Sequence, residues 1–284
     1  MELCQARLKQ DPRDTKALYA LGVAHGFRAN YNFLVRKAWR DALRDATTAR
    51  KLHNRVSELD PAVIDARLVQ GVHDYVVGSL PLVWKLLGFL VGYRGDKDQG
   101  IRSLELVAEK GVLNREDSKI LLCAVYRREK RSQKAVPLLE ELIRRFPRNY
   151  LLSLELAQMH SDLGDQIKAL EALDRLKVIK ESGAPGLTRL PRERLWYAEG
   201  NIQFWYNDLD AALENMKKAT AGAEALGLNT GVLAWMRLGQ LHDLKGQRQT
   251  ALEAYRRAIA FAPASEAAAE SRRYLSTPYR RPKR

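Results

Sequence analysis

One set of spaced residues recurs along this chain and restricts its fold more than any other feature. Trp235, Leu238-Gly239 and His242 are followed by Gly246, Ala251, Tyr255, Ala258 and Pro263. A second copy occupies Asp117 to Asn149, with Leu122-Cys123, Ala135, Leu139 and Pro147 in the corresponding places. Each copy consists of two apolar segments of helical period joined by a polar turn. Gly239 with Ala251, and Cys123 with Ala135, fall where the two helices of such a hairpin cross, so a larger side chain would hold the backbones apart. Leu238 with Tyr255, and Leu122 with Leu139, fill the space beside the crossing. Pro263 and Pro147 stop the second helix, because proline has no N–H and disfavours helix in the residue before it. A single hairpin leaves its apolar face open, so copies must stack.

The spacing resembles the tetratricopeptide repeat, a helix–turn–helix unit of about 34 residues. The resemblance implies an all-α protein: a right-handed α–α superhelix, or solenoid, of about six helix pairs plus a C-terminal capping helix. Residues 1–13 read as the remnant of a repeat whose first helix is missing, and predict an unpaired helix with an exposed apolar edge. The array runs over 14–275. Lys16 to Gly26 supplies a first helix and Ala49 to Pro61 its partner. The excess between them, near 27–48, is rich in Tyr31, Phe33, Leu34, Val35, Trp39 and Leu43, and predicts extra helix with Asn30 as the break. A second insertion lies near 75–99 and predicts two helices broken near Ser79-Leu80-Pro81. Residues 181–193 read as a linker dense in Gly and Pro. Residues 276–284 read as a basic disordered tail, since Pro278 and Pro282 bar helix there.

Composition narrows the function. Strand signals are poor, and the two cysteines, Cys4 and Cys123, offer no disulfide framework or metal site. His25, His160 and His242 all occupy the place where the repeat has tyrosine, one per unit, so no metal site is expected. No phosphate-binding glycine loop, GxSxG motif or paired catalytic carboxylate is present. The expectation is therefore a protein without catalytic residues or cofactor. Lysine and arginine number 48 against 34 acidic residues, a net charge of +14. Solvated faces explain that excess, and so does contact with nucleic acid or an acidic surface. No secretion signal precedes the repeats, which taken literally indicates the cytoplasm.

Leu80-Pro81, Lys85-Leu86-Leu87-Gly88-Phe89, Gly92, Gly95-Asp96 and Gly100, with Tyr126, Glu129, Arg131 and Ala135, are similar to a narrower group. These are the eukaryotic tetratricopeptide-repeat proteins of the outer-membrane and inclusion-body-clearance type. That resemblance implies an adaptor role near membranes or lipid bodies, with no catalytic residue to transfer.

In repeats of this kind the first helices line the inner groove. Their register places Arg127 and Arg128, Gln158 beside Leu154, then Arg194, Tyr197, Asn201 and Trp205, and finally Arg237 and Gln240 on that face. This mixture of guanidinium, amide and ring suits an extended peptide with acidic side chains from a partner protein. A membrane surface or nucleic acid is the alternative partner. Chaperone-binding relatives hold a C-terminal carboxylate with Lys and Asn on successive turns. Here those places read Ile120 and Ala124, Leu154 and Gln158, Tyr197 and Asn201, and Met236 and Gln240, so no such activity is expected.

Overall fold

The computed structural model of the chain describes residues 1–81 and 95–281. It divides into two compact units, Met1–Lys130 and Arg131–Arg284. Among the described residues there are helices and turns and no strand. The first unit holds α1 (Glu2–Gln10), α2 (Thr15–Leu34), α3 (Trp39–Leu59), α4 (Arg67–Gly78), α5 (Lys97–Lys110) and α6 (Arg115–Arg128). The second holds α7 (Ser132–Arg145), α8 (Tyr150–Asp162), α9 (Gln166–Glu181), α10 (Arg192–Trp205), α11 (Leu209–Ala221), α12 (Gly227–Leu244), α13 (Arg248–Phe261) and α14 (Glu266–Ser276).

The hairpins α2/α3, α4/α5, α8/α9, α10/α11 and α12/α13 are the principal packed pairs, and α14 lies on α13 and α12. Their helices start at short polar side chains that satisfy free N–H groups. Asp14 accepts from the Ala17 N–H, Asp96 from Gln99, Asp165 from Lys168 and Ser265 from Ala268, at 2.9 to 3.1 Å. Within the hairpins the turn is closed by a residue in left-handed conformation: Gly164, Asn207 and Gly246, with φ of 84°, 69° and 72°. The next N–H then reaches back to the carbonyl five residues earlier, as from Asp165 to His160 at 3.0 Å and from Gln247 to His242 at 2.8 Å.

The crossings are as tight as the spacing requires. A Cβ on Gly239 would stand 2.5 Å from the buried Tyr255 ring. One on Gly100 would stand 2.7 Å from the Gly71 carbonyl oxygen and 2.9 Å from the Tyr75 Cα, because α4 and α5 touch backbone to backbone. Backbone cannot move aside as a side chain can. Gly100→Ala is therefore expected to destabilise the first unit by about 1–3 kcal/mol. A lowered urea midpoint checks this, and an unchanged midpoint would show that the helices separate without penalty.

Several expectations are refined. Over the first insertion α2 runs through Asn30 to Leu34, the chain reverses over Val35–Ala38, and α3 begins at Trp39. The asparagine that matters is Asn32: it is buried, its side chain donates to Asp45 at 3.1 Å, and its carbonyl accepts from the Ala38 N–H at 2.9 Å. In the second insertion α4 stops at Gly78, with Ser79 and Leu80 bonded back into its last turn. The second helix expected there, and Lys85 to Phe89 with Gly92 of the narrower resemblance, lie outside the described residues. The linker narrows to 182–191, and Leu187 and Leu190 within it are each 1% exposed, packed with Leu176 of α9 and Leu195 of α10. α1 has no buried residue, and Leu3 is exposed, yet its Leu8 packs on the Leu18–Val56 core and Arg7 pairs with Asp14 at 2.6 Å.

The tail departs most from expectation. Residues 277–281 take no helix, but Tyr279 is buried in a core with Phe204, Met216, Leu238 and Leu241. Its N–H donates to Asp243 at 2.8 Å, and the Arg281 guanidinium donates to the Phe204 carbonyl. The prolines exclude helix there; they do not exclude packing.

Candidate functional site

Within the second unit the first helices of successive repeats are joined side to side. The Tyr206 hydroxyl, just past α10, donates to the Ser161 carbonyl of α8 at 2.9 Å. The Arg237 Nε of α12 donates to Asn201 of α10 at 3.1 Å, and Arg194 of α10 donates to the Thr230 hydroxyl of α12. Helical spacing brings Arg194, Asn201 and Trp205 to one side of α10, while Arg237 and Gln240 sit one turn apart on α12.

Arg237 is the centre of this cluster. Its guanidinium carbon stands 4.0 Å from the Phe204 ring centroid and 4.9 Å from that of Trp205. Its Nη1 donates to Gln240 at 2.6 Å. Burial pushes its pKa down from the ordinary arginine value, with Tyr197, Tyr279, Glu270 and Tyr274 acting in the opposite sense. An arginine so placed keeps its charge. Among the described residues Arg237 and Arg194 form no direct ion pair: their guanidinium groups bond to amides and a hydroxyl and stack on rings, and Glu270 acts on Arg237 only through its charge.

The expected groove residues divide by environment. Trp205 is 47% exposed and Arg194 half-buried. Gln240 is 2% exposed, its amide occupied by Arg237 and, at 3.5 Å, by the Tyr274 hydroxyl. Tyr197 packs against Ala219, Leu226 and Ala234, and burial raises its pKa. Gln158 on α8 donates to Asp162 at 2.7 Å. Arg127 and Arg128 end α6 in the first unit, both exposed, with Arg128 6.0 Å from the Tyr75 ring.

Phe204, Tyr279 and Arg281 belong to the cluster and were not among the expected residues. Phe204 is fully buried beneath Arg237, and the Arg281 guanidinium stands 4.9 Å from the same ring. A third basic group, Lys177, Lys180 and Arg192, lines a cavity of about 390 Å³ with Glu181, Leu195 and Trp196, and Lys177 pairs with Glu199. Among the described residues no group of three or more His, Cys, Asp or Glu side chains is gathered as a metal would need. Nor, among them, is any helix long and apolar enough to cross a membrane.

Stacked antiparallel hairpins with small residues at their crossings define an α-hairpin repeat protein. A tetratricopeptide-repeat family model matches residues 124–184, and another matches 232–265. The chain carries tetratricopeptide repeats over these stretches, in an all-α fold of the solenoid class. It is similar to the Cut9 and Hcn1 hetero-tetramer of the APC/C, with a TM-score of 0.54 at 13% identity, covering 96% of this chain and 45% of that one. It is similar to yeast Tom70, with a TM-score of 0.53 at 14% identity, covering 97% and 57%. For PilF of Pseudomonas aeruginosa the TM-score is 0.51 at 16% identity, covering 93% and 99%. At such identities the likeness concerns the fold. The chain thus spans about half the length of the first two of these chains. No curated protein matches the sequence.

Proposed function

We propose that the chain is a non-catalytic scaffold that holds a peptide of a partner protein along the first helices of its second unit, with no cofactor. The fold supports protein–protein interaction in general terms. One observation supports the narrower reading: Arg237 is charged, largely withdrawn from water and in no direct ion pair among the described residues, beside the half-exposed ring of Trp205. An acidic side chain of the peptide would supply the direct ion pair, held by Arg194 and Arg237, while Trp205 anchors a neighbouring apolar residue. Asn201, Gln158 and the buried Gln240 orient these groups, and Tyr197 supports them from the core. Arg127 and Arg128 belong to the first unit and take no part in this proposal.

The test is a titration of wild-type protein and of the Trp205→Ala, Arg194→Ala double variant with pools of acidic, neutral and basic peptides. The acidic pool is expected to bind the wild type. The double variant should lose at least about thirtyfold in affinity, the scale of a hot-spot pair. Binding should fall only modestly with salt, in contrast to the steep loss expected of polyanion binding. Wild-type affinity in a correctly folded double variant would overturn the assignment.

A further inference from the structure

The end of the α2/α3 hairpin carries an apolar surface that the groove does not explain. α2 and α3 are 20 and 21 residues long, whereas the neighbouring α4 has 12 and α8 has 13. The surplus is about two turns on each helix at 3.6 residues per turn. Those turns are where the large side chains turn outward. Phe27, Tyr31 and Leu34 follow one face of α2 at 73%, 53% and 61% exposure. Val35 and, on α3, Trp39 are 63% and 62% exposed.

The tip is nonetheless firmly built. Asp45 of α3 is buried and accepts from Asn32, from His25 at 2.9 Å and from Arg28 at 2.6 Å, all of α2. Phe33 and Trp39 meet edge to face across the reversal, their centroids 4.6 Å apart. The exposed rings are therefore presented by a fixed hairpin. Residues 27–45 include Arg28, Arg36, Lys37, Arg40 and Arg44 against Asp41 and Asp45. Asp45 is taken by Arg28, and Asp41 by Arg44 at 2.9 Å and Arg36 at 4.0 Å. The excess positive charge falls on Lys37 and Arg40, immediately beside Val35 and Trp39.

We infer that this hairpin end docks on an anionic lipid bilayer. Tryptophan and tyrosine with an apolar body and a polar edge favour the boundary between headgroups and acyl chains. Adjacent basic residues favour the negative surface of that boundary, and neither signal alone gives stable attachment. The two together on a rigid protruding end fit a peripheral membrane contact. The source of the negative charge is the lipid headgroup, in register with Lys37 and Arg40.

The test is flotation of the full chain with vesicles of phosphatidylcholine alone and of phosphatidylcholine with phosphatidylserine, with tryptophan emission recorded. Binding is expected only to the anionic vesicles, with a blue shift. Leu34→Ser with Trp39→Ser should weaken it by about tenfold or more, and Lys37→Glu with Arg40→Glu by a similar factor. Far-ultraviolet dichroism confirms folding, since these side chains are exposed. Trp39→Phe should keep the binding and lose the blue shift, which separates this site from the other four tryptophans of the chain. No binding to anionic vesicles would overturn the inference. So would binding that survives the serine variants, or a shift retained in Trp39→Phe. A dimer in solution that the serine variants dissolve would assign the surface to a second copy of the chain instead. None of these outcomes depends on the peptide groove.

Discussion

Replacing Asp243 by alanine is expected to destabilise the second unit by about 3–5 kcal/mol, the range for removing one member of a buried ion pair. The Asp243 side chain is 1% exposed and pairs with Arg248 at 2.9 Å. It also accepts from the Tyr255 hydroxyl at 2.8 Å and from the Tyr279 N–H at 2.8 Å. Burial, reinforced by the carboxylate, pushes the Tyr255 hydroxyl far above its ordinary pKa, so it remains a donor. Arg248 in turn donates to the Tyr274 and Leu275 carbonyls at 2.7 and 2.9 Å, capping the end of α14. One carboxylate therefore joins α12, α13, α14 and the segment after it. Alanine leaves three donors without it. An asparagine side chain retains an acceptor oxygen but not the charge, so Asp243→Asn should lose less. Denaturant unfolding measures the difference, and amide exchange should rise first across 266–281. A loss under about 1 kcal/mol for the alanine variant would show that water replaces the carboxylate.

The first unit should weaken in mild acid, and His53 should be the main cause. Its ring is buried between α2 and α3, edge to face with Tyr19 at 5.0 Å, and both ring nitrogens lack a hydrogen-bond partner. Burial lowers its pKa from 6.5 to about 4. Between those values the unfolded chain binds a proton that the folded chain refuses, so stability rises with pH across the window and falls on acidification. The full loss, from above 6.5 to below 4, is on the order of 3 kcal/mol. Asp45 acts in a lower window. Arg28, and then His25, hold its carboxyl at about 2 against burial, so its contribution is complete above pH 3.8 and is lost as pH falls through about 2. Urea unfolding at a series of pH values, with exchange resolved over α3, separates the two. His53→Leu should reduce the slope in the upper window, leaving the part due to the partly buried His73, whose pKa burial also lowers, and should leave the lower window unchanged. An unchanged slope between pH 6.5 and 4 would exclude His53.

The helix pairs could be read from sequence because they are set by local spacing. Gly239 meeting Tyr255, the left-handed turn at Gly246 and the buried Ala135 and Ala169 each follow from a residue's place in its own hairpin. The candidate site was only partly legible for the opposite reason. Register could place Arg237 and Asn201 on first helices, but their bond joins residues 36 apart across two repeats. Phe204 sits beside Trp205, yet only the crossing of α10 and α12 puts Arg237 on its ring. Tyr279 is hidden in the sequence because the prolines beside it read as a mark of disorder, although proline restricts backbone angles and leaves a neighbouring ring free to pack. Leu187 and Leu190 were masked in the same way by their Gly and Pro neighbours. In the insertion, Asn30 and Asn32 are equally polar in sequence, and only the second has Asp45 within reach.

Leu187 and Leu190 also change how the proposed binding face behaves mechanically. A ten-residue connection rich in glycine would ordinarily act as a tether, letting the hairpins on either side sample many relative orientations. Here the connection is pinned into the same core as the ends of α9 and α10. It works as a strut, and the spacing between α8 and α10 is fixed before any ligand arrives. A peptide settling along these helices would have its own chain to immobilise and no loss of freedom to impose on its receptor, which leaves more of each contact to appear as affinity.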